Sequence, residues 1–508
     1  MMLMNRMNLS VDQSLLFRAE QVRELDRLAA ERAGCPSYAL MSRAGQAAYR
    51  VLRARWPAAR RIAVLCGAGN NAGDGYVIAR RALDDGLSAQ VFYCVAPTDL
   101  AGDAARAAAE YQAVGGVATI MDDWVADGWD VLVDALLGTG VTRPLRDRWL
   151  AAVHAVNAAG APVLAVDVPS GLHPDHGIAL PVAVRAAVTV SFVGQKRGLF
   201  TADGPEYAGE RVFEPLQADA AVLDSQACRA ARLLSVASIR EDLPRRHRNA
   251  HKGCFGRVAV IGGDAGMGGA AILASAAAQA VGAGLVCCVT RSAHLPALLG
   301  AYPEILGVAA DRTAQLRDVL AWASVLVLGP GLGQRAWGRE VFAAVADGGQ
   351  PLVVDADGLN LMPTGAVRRA DQVLTPHPGE AARLLGVSGA QVQADRFAAV
   401  SRLQTQFGGA VVLKGAGTLV AAEGQPVHVC PLGHPGMAAG GMGDVLAGVI
   451  GGLLAQGLSP ARAAMVGVCL HGAAADALAG QGERGLRASE LLPVLRRYAN
   501  PDVWVERG

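Results

Sequence analysis

The sequence predicts two α/β domains, each a parallel β-sheet covered by helices on both faces, and three observations support this prediction. Short runs rich in Val, Ile and Leu alternate with Ala- and Leu-rich stretches of helical length, which is typical of parallel strands buried between two layers of helices. The chain has 508 residues, more than a single hydrophobic core usually contains. A basic, proline-containing stretch at residues 240–252 lacks apolar periodicity and separates the alternating segments into two blocks.

The composition excludes several classes of function. Hydrophobic residues make up 52% of the chain, and its 62 glycines cluster behind apolar runs, as they do in nucleotide-binding α/β proteins. A net charge of +1 provides no field that would attract nucleic acid or an anionic membrane. The 9 cysteines include no C-x-x-C pair, which favours reduced thiols in a cytoplasmic protein.

Two segments bear on membrane targeting. Residues 1–10 contain no apolar core of the length that a signal peptide requires. Residues 265–290 carry no charge and are long enough to span a bilayer, but glycines at 282 and 284 divide them. We therefore predict a buried helix followed by a strand in this segment.

Five strands are predicted in the first block and six in the second. They are residues 62–66, 90–95, 131–134, 163–167 and 188–192 in the first block, and residues 258–261, 285–289, 325–328, 352–355, 373–375 and 411–413 in the second. The blocks share no internal period, so two different domains are expected. Because ligands bind at the carboxyl edge of such sheets, the strand-ending acids Asp134, Asp167 and Asp355 are candidate functional residues.

The most informative segment is the glycine-rich stretch at residues 433–444, which leads into an apolar helical run from Val445. Backbone N–H groups at the start of a helix bind anions, and glycines allow a phosphate to approach them closely. Asp444 lies among these donors, although a carboxylate repels a phosphate. Its presence indicates a base that deprotonates a hydroxyl for attack on phosphorus, as in kinase-type phosphoryl transfer.

Four further glycine- or proline-containing segments follow predicted strands of the second block. They are residues 262–270, 329–333, 375–380 and 414–418. Together with residues 433–444 they resemble the ribokinase-like superfamily and, more closely, the ADP-dependent NAD(P)H-hydrate dehydratase family, whose members read close to GGDxGMxGA, GPGLG, TPHPGE, KGAGT and GxGD. The segment departs from the residues common in that family at Met442 and at the pair Ala438–Ala439. These differences remove no backbone N–H donor and no acid.

The resemblance implies repair of NADH or NADPH that has taken up water at the nicotinamide ring. Asp444 is expected to deprotonate the new hydroxyl, which attacks the β-phosphate of ADP; the lone pair of the ring nitrogen then expels phosphate, leaving AMP and restored cofactor. The hydrated dinucleotide, as its S epimer, is expected at Ala270, Gly331, His377 and Asp444. The nucleotide is expected at Lys414, Gly415, Ala416, Gly417, Thr418 and Gly443, with Mg²⁺ at its diphosphate.

The first block carries a second set of candidate residues. They are Asn70, Asn71 and Asp74 in residues 67–75, Asp134 at the start of residues 134–140, Asp167 and Ser170 in residues 167–172, and Lys196 in residues 192–198. The first of these segments is expected to form a loop before a helix at residues 76–83, and it has neither a G-x-G-x-x-G spacing nor a Walker lysine. An amide oxygen, a carboxylate and a hydroxyl form a hard ligand set of low charge, which suits K⁺ better than Mg²⁺. Such residues beside glycines are otherwise common in turns.

These segments resemble the NAD(P)H-hydrate epimerase family over roughly residues 14–220, with Ala72 where the loop commonly has glycine. The resemblance implies interconversion of the R and S hydrates, with Asp167 as the acid/base and Lys196 in support. K⁺ is expected at Asn71, Asp134 and Ser170. The hydrated dinucleotide is expected at Asn70, Asn71, Ala72, Gly73, Asp74, Gly138, Thr139, Gly140, Val141, Thr142, Arg143, Pro144 and Asp167.

The expected organisation is a Rossmann-like epimerase domain at residues 14–222, a linker at 223–252 and a ribokinase-like dehydratase domain at 253–500. We expect a cytoplasmic homo-oligomer that acts on small molecules and has no nucleic-acid or membrane partner. One alternative is a small-molecule kinase of the ribokinase type, which would use ATP and release a phosphorylated product. Another is a binding protein with an inactive first block, which the retained acids disfavour because buried acids cost energy unless they are paired.

Overall fold

The computed structural model describes residues 12–216, 218, 220–346, 348–480 and 482–500. They form two compact units that divide between Arg232 and Leu233, inside the predicted linker. The expectation about a signal peptide concerns residues 1–10 and lies outside the described residues. Among the residues that are described, no helix has both the length and the apolar character needed to cross a membrane.

The first unit contains short strands separated by helices of varied length. Its strands are β1 (Leu15–Phe17), β2 (Arg61–Cys66), β3 (Ser88–Tyr93), β4 (Ala118–Ile120), β5 (Val131–Ala135), β6 (Val163–Val166), β7 (Val188–Phe192), β8 (Gln195–Lys196) and β9 (Glu210–Glu214), with β10 (Ala231–Leu233) at the division between the units. Its helices are α1 (Ala19–Arg32), α2 (Ser37–Arg55), α3 (Asn70–Asp84), α4 (Gly102–Ala113), α5 (Asp147–Ala158), α6 (Gly204–Ala208) and α7 (Ala220–Ala227).

Seven strands of the first unit form one parallel sheet in the order β4-β3-β2-β5-β6-β7-β9. The chain builds outward from β2 in one direction and from β5 in the other, so the strand order reverses between these two neighbours. A crevice opens at the carboxyl ends of strands at such a point. Strand β8 pairs with β1 instead, with Lys196 opposite Phe17.

Both faces of this sheet are covered. Along β2, Val64 belongs to a hydrophobic cluster that includes Leu52 of α2 and Ile78 of α3. The next residue, Leu65, belongs to a different cluster that includes Val153 of α5. Successive side chains of a strand point to opposite faces, so the first unit has the three layers that the sequence predicts.

The second unit alternates strands and helices in the same way. Its strands are β11 (Arg257–Ile261), β12 (Leu285–Thr290), β13 (Leu306–Ala309), β14 (Val325–Leu328), β15 (Leu352–Val354), β16 (Gln372–Leu374), β17 (Ala410–Leu413), β18 (Thr418–Ala422) and β19 (His428–Cys430). Its helices are α8 (Gly268–Ala280), α9 (Leu295–Ala301), α10 (Arg317–Trp322), α11 (Ala336–Ala346), α12 (Ala356–Leu361), α13 (Pro378–Leu385), α14 (Gly389–Ala394), α15 (Arg396–Phe407), α16 (Met442–Ala455), α17 (Pro460–Ala479) and α18 (Leu491–Tyr498).

The sheet of the second unit is parallel from β13 to β17, in the order β13-β12-β11-β14-β15-β16-β17, and is extended by the antiparallel strands β18 and β19. Helix α16 packs closely on α8 because two of its residues have no side chain. A Cβ atom at Gly448 would lie 2.0 Å from the Ala274 carbonyl oxygen, and one at Gly452 would lie 2.7 Å from that of Ala278.

The eleven predicted strands are all present in the described residues, with ends displaced by at most two residues. One prediction about the first block was wrong. Residues 67–75 were expected to form a loop before a helix at 76–83, but α3 begins at Asn70. The glycines there serve close packing: a Cβ atom at Gly73 would lie 2.5 Å from the Met41 sulfur, and one at Gly75 would lie 2.7 Å from Ala135 Cβ.

Candidate active sites

Three adjacent strands of the second unit bring charged residues together at their carboxyl ends. Asp355 follows β15, Glu380 lies in α13 after β16, and Lys414 follows β17. The Lys414 ammonium lies 2.7 Å from Asp355 Oδ1 and 3.8 Å from Glu380 Oε2. Because the Asp355 side chain is only 1% exposed, this ion pair offsets the cost of burying its charge.

Asp444 completes this group, which we call the Lys414 cluster: Asp355, Glu380, Lys414 and Asp444. Asp444 lies in the first turn of α16, which begins at Met442, three residues before the predicted start. A Cβ atom on the preceding residue, Gly443, would lie 3.4 Å from both Asp355 Oδ2 and Lys414 Nζ. Burial and, to a lesser degree, the charge of Asp355 raise the pKa of Asp444 to about 7, while Lys414 opposes the change. A carboxyl with such a pKa is well suited to act as a base near neutral pH.

Glu380 is the member of the cluster that the sequence analysis did not single out. Burial raises its pKa to about 7, while Lys414 acts in the opposite direction. Its Oε2 accepts a 2.7 Å hydrogen bond from the backbone N–H of His377, and His377 Nδ1 accepts one of 3.4 Å from the Glu380 N–H. This reciprocal cap at the start of α13 is a signal that the sequence offered, because a Glu three residues into a helix commonly makes it.

His377 therefore has a structural role at the start of α13 in addition to the role expected for it. Its side chain is 57% exposed, so its imidazole can also contact a ligand. Burial of the ring lowers the pKa of His377, with Lys414 acting in the same direction. The imidazole is consequently neutral at physiological pH.

The loops after β11 and β14 lie side by side. The N–H of Gly263 donates to the Pro330 carbonyl at 2.9 Å, and that of Asp264 donates to the Gly331 carbonyl at 2.7 Å. A Cβ atom on Gly331 would lie 3.1 Å from Ala270 Cβ. Thus Ala270 and Gly331, both predicted to contact the dinucleotide, are neighbours.

Two further acids shape these loops. Asp264 is nearly buried and accepts a 3.2 Å hydrogen bond from Arg291 Nε. Asp357 accepts a 2.9 Å hydrogen bond from Gly333 N–H and one of 3.1 Å from the Gln334 amide. The Asp264 carboxylate is paired with the Arg291 side chain, and the Asp357 carboxylate holds the Gly333 backbone and the Gln334 amide, so neither is free to act as a base.

The predicted nucleotide segment forms a tight hairpin between β17 and β18, with Ala416 at its centre. Gly415 and Gly417 have φ values of +135° and +59°, which side chains other than glycine rarely adopt. Thr418 Oγ1 donates to the Gly415 carbonyl at 3.0 Å. The buried guanidinium of Arg396 supports the hairpin from below by donating to the Lys414 carbonyl at 3.3 Å.

The first unit contains a cavity of about 910 Å³, which we call the acidic cavity. It lies at the carboxyl edge of the sheet, where β2 and β5 are neighbours. Eight of the predicted residues line it: Asn70, Asn71, Asp74, Gly138, Thr139, Gly140, Asp167 and Lys196. The remaining wall is formed largely by one face of α1 and the start of α2.

Lys196 and Asp167 form the central ion pair of the acidic cavity. The Lys196 side chain is only 1% exposed; it donates to Asp167 Oδ1 and, at 2.9 Å, to the Phe192 carbonyl. The Phe192 N–H also donates to Asp167 Oδ1, at 3.2 Å. Asp167 has a φ of +68°, which costs on the order of 1 kcal/mol for a residue with a side chain. The contacts to its carboxylate stabilise this backbone and aim the group into the cavity.

Asp74 and Asp26 face the same ion pair. Burial raises the pKa of Asp74 well above its usual range, and the charges of Asp167 and Asp26 act in the same direction. Burial likewise raises the pKa of Asp26 to about 6, with Lys196 opposing the change. The sequence analysis missed Asp26. The available signal was its position in α1 among the buried residues Val22, Leu25 and Ala29, where a helix normally places apolar side chains.

The residues predicted to bind K⁺ form one connected group. Asp134 is fully buried; its Oδ1 accepts a 2.6 Å hydrogen bond from Ser170 Oγ and its Oδ2 one of 2.8 Å from Ser170 N–H. Ser170 Oγ lies 3.1 Å from the Leu137 carbonyl oxygen, and a Cβ atom on the next residue, Gly138, would lie 3.2 Å from Asn71 Oδ1. Burial raises the pKa of Asp134 to about 6. No Lys or Arg among the described residues forms an ion pair with it.

Other predicted residues of the first unit lie elsewhere. Ala72 is fully buried in α3, so the expected glycine is not needed there. Gly73 packs against Met41 as described above, and Val141 is buried while Thr142 is exposed. Arg143 and Pro144 line a separate cleft of about 480 Å³ together with Trp149.

The comparisons with known proteins match both units. Residues 37–198 match the family described as YjeF-related protein N-terminus, and residues 258–497 match the NAD(P)H-hydrate dehydratase family. A bifunctional NAD(P)H-hydrate repair enzyme of Coxiella burnetii is 46% identical over 96% of this chain and 100% of its own length. The enzyme of that name from Escherichia coli is 42% identical over 96% of this chain and 94% of its own length.

A solved structure shares the fold of about half of this chain. A protein from Streptococcus mutans, described only as hypothetical, superposes with a TM-score of 0.50 and 29% sequence identity, covering 53% of this chain and 99% of its own. Both repair enzymes match this chain over 96% of its length, at 46% and 42% identity, which is enough to place the three proteins in one family. This chain therefore belongs to the family of bifunctional NAD(P)H-hydrate repair enzymes.

Proposed function

We propose that the second unit restores hydrated NADH and NADPH by transferring phosphate from ADP to the ring hydroxyl, with Asp444 as the base. The observation that carries the proposal is a half-buried carboxyl, its pKa raised to about 7, in the first turn of a helix beside Lys414. Such a group removes a proton from the hydroxyl as the oxygen attacks the β-phosphate. The ring nitrogen then expels phosphate, so the products are reduced cofactor, AMP and phosphate.

The backbone around Asp444 suits the transferring phosphate. Gly441 has a φ of +89° and precedes the first residue of α16, and a Cβ atom on Gly440 would meet no atom within 4 Å. Open N–H groups at a helix start stabilise negative charge that develops on phosphate oxygens. Lys414 and the hairpin through Thr418 bind the rest of the nucleotide, while Ala270, Gly331 and His377 contact the hydrated dinucleotide.

The Lys414 cluster also fits Mg²⁺. Proteins usually bind this ion through one or two carboxylates together with the phosphates of a substrate, and Asp355 and Glu380 provide two carboxylates beside Lys414. When bound, the ion neutralises charge on the diphosphate. Asp444 remains the proton acceptor, because Lys414 pairs with Asp355 and Glu380, whereas Asp444 forms no ion pair within the described part of the chain.

In the first unit we propose that Asp167 is an acid/base that interconverts the R and S hydrates. Lys196 orients its carboxylate through the buried ion pair and stabilises its charge. Asn70, Asp74 and the glycines at 138 and 140 line the cavity around the ring. Epimerisation allows material hydrated on either face of the ring to reach a dehydratase that accepts one epimer.

The fit of K⁺ rests on the donor set beside this cavity. Asn71 Oδ1, Ser170 Oγ and the Asp134 carboxylate are hard oxygen ligands with a single negative charge, which suits a monovalent cation. The buried carboxylate of Asp134 has hydrogen bonds but no ion pair among the described residues. A bound K⁺ would offset the cost of burying that charge and would hold the loop at residues 136–138 in place.

We further propose that the chain acts as a cytoplasmic homo-oligomer on small molecules alone, without nucleic-acid or membrane partners. The net charge of +1 supports the absence of polyanionic partners. We assign the epimerase to residues 14–222, a linker to 223–252 and the dehydratase to 253–500. The division between Arg232 and Leu233 is consistent with these bounds.

The decisive experiment mixes purified protein with hydrated NADH, ADP and Mg²⁺ and follows the absorbance of reduced nicotinamide. We expect absorbance to return, with one AMP and one phosphate for each cofactor restored. A strict requirement for ATP, with ADP and a phosphorylated small molecule as products, would instead establish the ribokinase-type kinase. Failure with both nucleotides would reject the dehydratase proposal.

A further inference from the structure

The acidic cavity contains one carboxylate for which the mechanism above has no use. Asp26 lies on the face of α1 that also carries the buried residues Val22, Leu25 and Ala29. It lines the cavity opened by Asp74, Asp167 and Lys196. An acid at a core-facing position is costly unless it is paired or functional, so its presence there calls for a physical reason.

The surroundings of Asp26 do not supply a partner that neutralises it. Its carboxyl makes no side-chain hydrogen bond with another described residue, and the positive charge that lowers its pKa is that of Lys196. Lys196 already donates to Asp167 Oδ1 and to the Phe192 carbonyl. Three carboxyls thus share one ammonium group, and burial together with Asp167 raises the pKa of Asp26 to about 6. A carboxyl of this kind exchanges protons readily near neutral pH.

None of the other charged residues around the cavity forms an ion pair with Asp26 within the described part of the chain. On α1, Arg27 forms ion pairs with Glu24 and with Glu31, and both Arg27 and Glu31 line the cavity. The remaining charged residues that line it are Arg23 on α1, Asp103 on α4 and Asp74 on α3. Glu31 is therefore a natural control for Asp26, because it lies on the same helix and the same cavity but already has a cationic partner.

Epimerisation itself requires proton transfer at two places. The carbon that changes configuration bears the ring nitrogen and a hydroxyl. When the hydroxyl oxygen takes a proton, the C–O bond breaks, its electron pair leaves with water, and the nitrogen lone pair forms a planar C=N⁺ bond. Water then adds to the opposite face, its oxygen pair forms the new C–O bond, and its extra proton must be accepted there. A single carboxylate on one side of a flat ring cannot serve both faces.

We propose that Asp26 is the second proton-transfer residue of the epimerase, acting on the ring face opposite to that served by Asp167. The assignment rests on the proposed epimerase function of the first unit. Asp167 projects from the end of β6 and Asp26 from α1, so the two carboxyls belong to different walls of one cavity. In one direction Asp167 donates the proton and Asp26 accepts it; in the other direction their roles are exchanged. Exchange with solvent water returns the proton between turnovers, and no other reactant is consumed.

The test compares Asp26→Asn with Glu31→Gln, each a change from a carboxyl to an amide in the same cavity. We expect Asp26→Asn to lower the epimerisation rate by about two to four orders of magnitude, the usual contribution of a general acid or base. Glu31→Gln should remain within about threefold of wild type, and Asp26→Glu should recover part of the activity, because a displaced carboxyl still transfers protons. Dehydration of the accepted epimer is the internal control for folding, and all three variants should retain it.

A second measurement tests the chemical step. Epimerisation in ¹⁸O-labelled water, read at early times against an enzyme-free sample, should introduce one solvent oxygen for each epimerisation by the wild-type protein. Absence of the label would overturn the proposal, since water would not have added to the second face. Asp26→Asn at more than a third of the wild-type rate, or Glu31→Gln losing as much as Asp26→Asn, would also overturn it. Failure of the wild type to epimerise at all would instead reject the epimerase function.

Discussion

The two candidate active sites each place one lysine among several carboxylates at the carboxyl edge of a parallel sheet, but the lysine has a different partner in each. In the first unit Lys196 donates directly to Asp167, the proposed acid/base. In the second unit Lys414 donates to Asp355, and the proposed base Asp444 forms no ion pair among the described residues. The difference indicates that the first lysine orients the reacting carboxylate, whereas the second leaves it free to take up a proton.

The exposure of the two lysines agrees with this distinction. The Lys196 side chain is 1% exposed and is closed in by its hydrogen bonds. The Lys414 side chain is 21% exposed and can contact a nucleotide phosphate while it remains paired with Asp355. Lys196 is therefore committed to the protein's own carboxylate, whereas we propose that Lys414 also binds the nucleotide.

The largest effect that the comparison predicts is that of Asp444→Asn, which keeps the shape of the side chain but removes the base. Dehydration should fall by about two to four orders of magnitude, as expected for loss of a general base. ADP affinity, measured by calorimetry, should change little because the backbone donors remain. Epimerisation by the first unit is the control and should be unchanged. More than a tenth of wild-type dehydration in the variant would show that Asp444 is not the base.

Asp167→Ala should affect the other unit alone. We expect epimerisation to fall at least about a hundredfold, while dehydration of the accepted epimer continues at nearly the wild-type rate. With a mixture of epimers, repair followed by absorbance should stop at a plateau, whereas wild-type repair goes to completion. Early time points exclude slow uncatalysed epimerisation. Complete repair by the variant at the wild-type rate would remove Asp167 from the mechanism.

Lys414→Met tests the dual role of the second lysine. It leaves the buried Asp355 carboxylate without its cation, and breaking a buried pair in this way typically costs about 3 kcal/mol or more in stability. We expect a lower midpoint of thermal unfolding and at least tenfold weaker ADP binding. Adding Asp355→Asn should recover much of the stability but not the ADP affinity. Unfolding of the double variant as early as the single one would contradict the pairing argument.

The pH dependence of the dehydration rate tests whether Asp444 acts as the base. Burial raises the pKa of Asp444 from 3.8 to about 7, so the dehydration rate should rise with pH and fall about tenfold per unit well below 7. Burial also raises the pKa of Glu380 to about 7, so both carboxyls titrate over the same pH range. A dehydration rate independent of pH between 5 and 8, in buffers that keep the first unit active, would contradict a base of this pKa.

The contribution of Asp444 to the free energy of unfolding should fall as pH rises, opposite to the dehydration rate. A carboxyl whose pKa is raised on folding binds its proton more tightly in the folded state, so its contribution to stability is present at low pH and is lost as pH rises from about 4 to about 7. The Asp444→Asn variant has no carboxyl to ionise at this position, so it does not lose this stability as pH rises. We therefore expect the unfolding midpoint of the variant, relative to wild type, to be higher at pH 8 than at pH 5. A constant difference across this range would indicate that Asp444 is not desolvated.

The smallest expected effect is that of the cation. Replacing K⁺ by a large organic cation should slow epimerisation severalfold and leave dehydration unchanged, because the oxygen set of Asn71, Asp134 and Ser170 belongs to the first unit. With a mixture of epimers, the absorbance of restored cofactor should show the plateau expected for Asp167→Ala, but less sharply. Asn71→Ala is the matched variant and should make the rate insensitive to the cation. A cation effect that persists in that variant would place the ion elsewhere.

Much of this organisation could be predicted from the sequence. Parallel strands end at one edge of a sheet, so the acids at the ends of β5, β6 and β15 were expected near ligands, and Asp134, Asp167 and Asp355 lie in the sites described. The strands β1, β4, β8, β9, β10, β13, β18 and β19 were not among those predicted, because runs of two to five residues carry little detectable periodicity. The start of α3 was misjudged because its glycines were interpreted as loop residues, whereas they accommodate Met41 and Ala135.

The sequence by itself determined the two α/β units, the strands that compose them and the glycine-rich segments at their ends, because periodicity and glycine content act over a few neighbouring residues. Only the tertiary structure decided that Lys196 pairs with Asp167, that Lys414 pairs with Asp355, and that Asp26 joins the acidic cavity from α1. The protonation of these groups depends on burial and on charges a few ångströms away. Those neighbours come from distant parts of the chain, so they exist only once the sheets have formed.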